Sequence, residues 1–241
     1  MPEIGFDYLR QFEVTASSLV LRRSMSHWKF NQTLESGTLY FAAASSFSDK
    51  LEGHHTNLDK DLSDAQLVRW GLDSKARRVA SESRAIVAAH NQKAVVISCW
   101  TGGIHESLRM WSEYAPGAEA AAIETTVGDL RHGLGSNFLI VAVRYLDFSQ
   151  QSIPKEHSLQ PLLFKRLCYE WEQEVRVVGE MEVGARIGSP RVVSIDLQSA
   201  LRRIVISPFA SADYSATVAA RLEARSLSLP VHDSMLRSNV L

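Results

Sequence analysis

Two hydrophobic periods divide this chain of 241 residues. Where apolar side chains recur every three or four positions, helices are expected. Phe6, Leu9 and Phe12 form such a stripe, and the spacing predicts one or two short helices over residues 6–23. Leu58, Leu62, Leu67, Trp70 and Leu72 repeat the pattern, broken at Gly71-Leu72-Asp73 before a second helix near 73–91. Leu108, Trp111 and Tyr114 predict a helix over 105–114, ended by Pro116-Gly117. Shorter helices follow from the spacing at 127–133 and 159–166, after Asp196, and from Ser211 to about Arg225. Where apolar positions run continuously or alternate, strands are expected. These are 38–43, 94–100 (AVVISCW), 118–125, 138–145, 169–178, 191–195, 203–207 and 229–232. Asn31 is placed to cap a helix that ends at Gly37, with Lys29 on a short strand just before it. Strands and helices mix without a steady βαβ alternation. The expectation is a single α+β domain over 1–241, its core at about 27–207. A mixed, mainly antiparallel sheet carries flanking helices and a helical insertion near 57–92.

The densest stretch is FKRLCYEWEQEVRVV, 164–178. From Tyr169 the apolar residues Tyr169, Trp171, Val175 and Val177 alternate, which is the period of a strand. On a strand, Glu170, Glu172, Glu174 and Arg176 would share the other face, neighbours roughly 7 Å apart. Carboxylates so close resist joint ionisation, and Arg176 relieves part of that. Such a row suits a site that needs a tuned carboxylate. It equally suits a solvent-facing polar side.

A net charge of −1 at pH 7 argues against a general nucleic-acid binder. Cys99 and Cys168 are too few for a disulfide framework and sit in apolar runs, so they read as reduced, buried thiols. No apolar run reaches the roughly 20 residues that span a bilayer, and the first residues lack the pattern of a signal peptide. A cytoplasmic protein with no membrane partner is the resulting expectation.

No GxxxxGK[ST] loop, dinucleotide fingerprint or GxSxG elbow occurs, and the isolated cysteines exclude a zinc site of cysteine pairs. Asp49, Glu52, His54 and His55 gather metal donors in one loop, but adjacent histidines diverge on extended backbone, so no metal is expected there. His27 and His105 stand alone beside aromatic runs, and structural or surface roles suit them better than catalysis. Trp111 and Tyr114, three apart, are helix neighbours, and Tyr114 at the helix end could reach a cleft.

In order, the chain shows WKF (28–30), LYF (39–41), FSDKLEG (47–53), ISCW (97–100), ESLRMWSEYA (106–115) and YEWEQEVRVV (169–178). This series resembles a bacterial family known only as a domain of unknown function. Its members show an aromatic-Lys-aromatic start, an F-N-D-P-x-E-G loop, a C-F-S strand, an M-W-x-x-Y-A helix and an E-x-E-x-R strand. The chain departs from it at Ser48-Asp49-Lys50 and Trp100-Thr101. More distantly the layout is similar to the ADP-ribosyltransferase fold. In that fold a first strand with His or Arg holds NAD and precedes a short helix ending in glycine. A middle segment lines the nicotinamide site, and a late strand carries an E-x-E pair. The resemblance implies NAD as substrate. Lys29 falls at the first position, where His or Arg is expected. Ser98, Trp111 and Tyr114 line the middle of the site, and Glu172 and Glu174 form the catalytic pair beside Arg176.

Three readings follow. The first is an NAD-consuming transferase or glycohydrolase of toxin or phage-defence type, acting on a nucleotide-like small molecule with a protein or nucleic-acid acceptor. The second is a non-catalytic module recognising a nucleotide, nucleic acid or protein. The third is a metal-dependent hydrolase or nuclease using Asp49, Glu52 and the acidic row.

Overall fold

A computed structural model describes residues 6–237; residues 1–5 and 238–241 of the expected domain, and the Phe6 side chain, lie outside the described residues. The chain opens with α1 (Phe6–Leu9) and a 3-10 turn, then enters β1 (Val20–Ser26), α2 (His27–Ser36) and β2 (Thr38–Ala43). The helical expectation for 6–23 is therefore half corrected. The segment from Val20 pairs with a neighbouring strand over seven residues, and that ladder outweighs its weak helical spacing. Lys29 is corrected too. It lies inside α2, exposed, and not on a strand before it. The helix ends as expected at Gly37, whose φ of 62° suits a residue without Cβ and whose N–H donates to Thr33 O at 3.0 Å.

The insertion is a helical hairpin of α3 (Asn57–Arg69) and α4 (Ser74–Ala94). Thr56 and Asp59 cap α3 reciprocally, and Asp73 caps α4 by accepting from Ala76 N at 2.7 Å. After it come β3 (Val95–Gly102), α5 (Leu108–Tyr114), β4 (Ala120–Thr126) and α6 (Val127–Leu134). Next are β5 (Phe138–Ala142), β6 (Arg144–Leu146) and β7 (Phe164–Arg166). The helix expected over 159–166 is only a 3-10 turn at Gln160–Leu163 that gives way to β7. The last elements are β8 (Glu174–Glu180), β9 (Arg191–Ser194), α7 (Leu197–Ala200), β10 (Arg203–Ile206), α8 (Tyr214–Glu223) and β11 (Val231–Asp233). This is an α+β fold with an open, mainly antiparallel sheet, as the pattern predicts. No helix among the described residues is long and apolar enough to cross a membrane.

The sheet runs β11-β10-β4-β1-β3-β2-β9, and β8 adds to β3 and carries β5 beyond it. β8 pairs with β3 from Val95 to Thr101 and so occupies one of its edges. β1 and β2 must share the other edge. β1 pairs at Thr101 and Gly102, β2 at Val96 and Ile97, and the sheet forks between them. Arg23 of β1 spans the fork, donating to Ser98 Oγ at 2.9 Å and to the Tyr40 carbonyl of β2 at 3.0 Å.

Strand alternation sorts the core into two layers. Val96, Trp100, Val175 and Val177 pack with Phe30 and Leu34 of α2. Val95, Ile97 and Val178 face the other way, onto Leu9, Leu162 and Leu163. Gly179 lies where the Phe138 ring crosses β8, and a Cβ built there would meet that ring at 2.5 Å. Gly179→Ala is expected to overpack this contact and destabilise the fold by about 1–3 kcal/mol. Urea unfolding measures it, and an unchanged midpoint would show that the ring can move aside.

Candidate functional site: a buried ion cluster

The strand reading of 169–178 holds only from Glu174 onward. Leu167–Glu172 is a 3-10 helix, closed by Gln173 in the left-handed region at φ 45°. The turn breaks the expected row of charges. Glu170 is exposed, while Glu172 folds back beside Glu174. The aromatic alternation that suggests a strand comes instead from side chains laid over the cluster. Tyr169 lies under Lys165 and Arg166, and Trp171 under Arg109, whose guanidinium is 3.9 Å from the ring centre.

Glu174 and Arg176, two apart, point to one face of β8, opposite Thr101 and Cys99 of β3. That face is covered, not solvated. Arg176 is 0% exposed, and Glu52, Lys165, Glu172 and Glu174 are each under a tenth exposed. Charged groups persist at such burial only when paired and fully hydrogen-bonded. Arg176 donates to both oxygens of Glu174, at 2.8 and 3.1 Å, to the Leu162 carbonyl at 2.5 Å, and to Glu52. Lys165 Nζ lies 2.5 Å from Glu172 Oε2, 3.1 Å from Glu174 Oε2 and 4.0 Å from Glu52 Oε2. Tyr114 OH donates to Glu172 Oε1 at 2.8 Å, and Tyr145 OH accepts from Glu174 N at 2.8 Å. The cluster thus holds three carboxylates, two cations and two phenols, with Cys99 of β3 on the same face as Glu174 and Arg176.

Environment sets the proton positions. Burial pushes Glu174 up from the ordinary carboxylate range, against the pull of Lys165. Burial pushes Lys165 down, but the charges of Glu174 and Glu172 outweigh it and the net shift is upward. Burial brings Arg176 down to about 9, still above neutrality, and its two carboxylate partners hold it charged. Burial and the nearby Glu174 raise Cys99 strongly, so its thiol keeps its proton. Tyr114 is likewise raised, by burial and then Glu172.

Of the residues the sequence singles out, Glu172, Glu174, Arg176 and Tyr114 meet in this cluster. Trp111 is buried on the inner side of α5, against Ala120, Ala122 and Val205, and donates to Glu106 at 3.1 Å. Ser98 turns to the opposite face of β3, bonded by Arg23 and Trp100, and Cys99 takes the place beside Glu174. Lys29 belongs to α2, whose buried side packs on the far face of β8. Cys168 is exposed on the 3-10 helix and corrects the expectation of two buried thiols.

The loop of metal donors does meet the strand, yet its members part company. Glu52 joins Arg176, Asp49 takes a two-point contact from Arg166 at 3.0 and 3.1 Å, and His55 lies 3.6 Å from Asp59. Among the described residues no group of three or more His, Cys, Asp and Glu is arranged to hold a metal ion. The sequence reading missed Lys165 at the centre. Its signal was a lysine directly after the buried apolar run Leu162-Leu163-Phe164, ahead of the acidic run. A groove of about 570 Å³ lies elsewhere, lined by Ala216, Ala219 and Val231 of α8 and β11. It carries no comparable set of ionisable groups, so the cluster is the better candidate for chemistry.

No family model matches the chain, and no curated protein or solved structure is significantly similar to it.

Lys165→Met is expected to destabilise the protein by about 3–5 kcal/mol at neutral pH, because it strands two buried carboxylates. The loss should shrink in acid, as Glu174, raised by its burial, takes up its proton. Glu174 itself binds its proton more tightly folded than unfolded. Its contribution to stability is therefore fullest below its ordinary value of 4.5 and is lost as pH rises through its raised value. Urea midpoints across this range should lose that component in Glu174→Gln; an identical pH profile in the variant would refute the assignment.

Proposed function

We propose that the chain cleaves the nicotinamide–ribose bond of NAD, as a transferase or glycohydrolase resembling the ADP-ribosyltransferases. One observation carries the reading. Glu172 and Glu174 share the Lys165 ammonium, and the Tyr114 phenol that bonds Glu172 belongs to a ring that is 43% exposed. The paired carboxylates are thus one side chain from solvent. The layout adds support, with a short helix ending at Gly37 and a late strand, β8, that opens on Glu174 two residues after Glu172.

The chemistry is that of glycosidic cleavage. The C1′–N bond breaks, nicotinamide leaves with the electron pair, and positive charge develops on the ribose. Glu174 stabilises that charge and holds a ribose hydroxyl. Water or an acceptor hydroxyl attacks C1′ and passes its proton to Glu172. Lys165 holds both carboxylates together until substrate enters. The acceptor would be a protein or nucleic acid, and in the defence-type setting implied by the resemblance its modification would be toxic.

A second reading rests on a different observation. Both oxygens of Glu174 already have cationic partners. A carboxylate so saturated suits a fixed polar core beneath a recognition surface, where Tyr114, Tyr169 and Trp171 would meet a nucleotide or a protein segment.

Incubation with NAD, with and without cell lysate, separates the two. Under the first reading nicotinamide is released, and Glu174→Gln lowers release by about a hundredfold or more while the circular dichroism spectrum is kept. Absence of release in both mixtures, with nucleotides still raising the melting temperature, would favour the recognition module.

A further inference from the structure

Three cations lie on the aromatic rings of the 3-10 helix Leu167–Glu172, and two of them have carboxylate partners. Lys165, over Tyr169, bonds Glu172 and Glu174, and Arg166, over the same ring, is paired with Asp49. The third is Arg109 near the start of α5, whose guanidinium lies 3.9 Å from the ring centre of Trp171. It is exposed, and among the described residues it donates to no carboxylate and no carbonyl. Glu113, one turn on, and Glu170, next to Trp171, are exposed, and neither pairs with it. The indole N–H of Trp171 is also unmet, buried without an acceptor. Buried N–H groups seldom go without one. A guanidinium held flat on a ring keeps its N–H groups directed outward in one plane, the fork that grips an oxyanion at two points.

The stack adjoins the acid pair. Tyr114, on the same short helix as Arg109, donates to Glu172, the residue after Trp171. The cluster sets three carboxylates against two cations, so it repels an anion that faces it directly. A ligand with an oxyanion must enter with that group turned away from the carboxylates, and Arg109 offers an open cation beside them. We propose that Arg109, held by Trp171, binds the phosphate of a nucleotide ligand. It thereby selects ligands that join an anionic end to a neutral or cationic one. The proposal rests on the cluster taking a nucleotide, as in the readings above, and not on cleavage.

Isothermal titration with ADP-ribose and with adenosine, which lacks phosphate, tests it, since neither has a nicotinamide bond to break. The wild-type chain is expected to bind ADP-ribose the more tightly. Arg109→Ala should raise the Kd for ADP-ribose about tenfold or more and leave that for adenosine unchanged. Arg109→Lys, which keeps the charge and loses the fork, should recover only part. Arg109 is exposed, so both variants should keep the wild-type melting temperature. Unaltered ADP-ribose affinity in Arg109→Ala would overturn the proposal, as would equal weakening toward both ligands or a wild-type chain that binds neither. Arg109-dependent binding without release of nicotinamide from NAD would refute the cleavage reading alone. Release of nicotinamide with a KM that Arg109→Ala does not move would refute this proposal alone.

Discussion

The burial of Arg176 constrains the rest of the structure. A guanidinium with no exposure cannot be left to water, and each of its donors draws in a different segment. Nε and Nη2 fix the rotamer of Glu174 on the same strand, Nη1 fixes the carbonyl of Leu162 before β7, and Nη2 reaches Glu52 in the loop ahead of the hairpin. Removing an ion from water costs several kcal/mol even after relaxation, and only complete pairing offsets it. The loop, the 3-10 helix and β7 therefore close over β8 together.

Pairing alone does not neutralise the cluster. Glu52, Glu172 and Glu174 outnumber Lys165 and Arg176, which leaves an excess negative charge in a region of low exposure. The Tyr114 phenol takes up part of the excess by donating to Glu172. Burial raises Glu174, and the neighbouring Glu172 adds to that rise while Lys165 opposes it. A purely structural pair would be expected to match its charges. A buried cluster with more carboxylates than cations fits a site where a positive charge arrives.

Much of this was legible in the sequence because local chemistry and tertiary structure agree. The apolar run at 94–100 is a central strand, Gly37 ends its helix, and the break at Gly71-Leu72-Asp73 divides the two hairpin helices. Failures occurred where long-range contacts override local pattern. β1 carries two arginines in seven residues and makes a poor strand alone, yet Arg22 is matched across the sheet by Glu124 at 2.6 Å and Arg23 by Ser98. At 169–172 the alternating aromatics imitate a strand, although their rings lie against Lys165, Arg166 and Arg109. Lys165 could not be assigned from spacing, because its partners seven and nine residues on meet it only through the turn at Gln173.

That turn also decides what the carboxylates can do. On a continuous strand Glu172 and Glu174 would stand roughly 7 Å apart and point the same way into solvent. Gln173 in the left-handed region costs of order 1 kcal/mol for a residue with a side chain, and the surrounding bonds hold it there. Its carbonyl accepts from Gly102 N at 2.8 Å and its N–H donates to Glu170 O at 3.1 Å. The gain is convergence of two carboxylates on one ammonium, with Tyr114 lying between them and solvent. Local backbone strain kept in place by the sheet next to it tends to mark positions where geometry serves more than stability. Here it is the step that turns a charged strand into a closed acid pair.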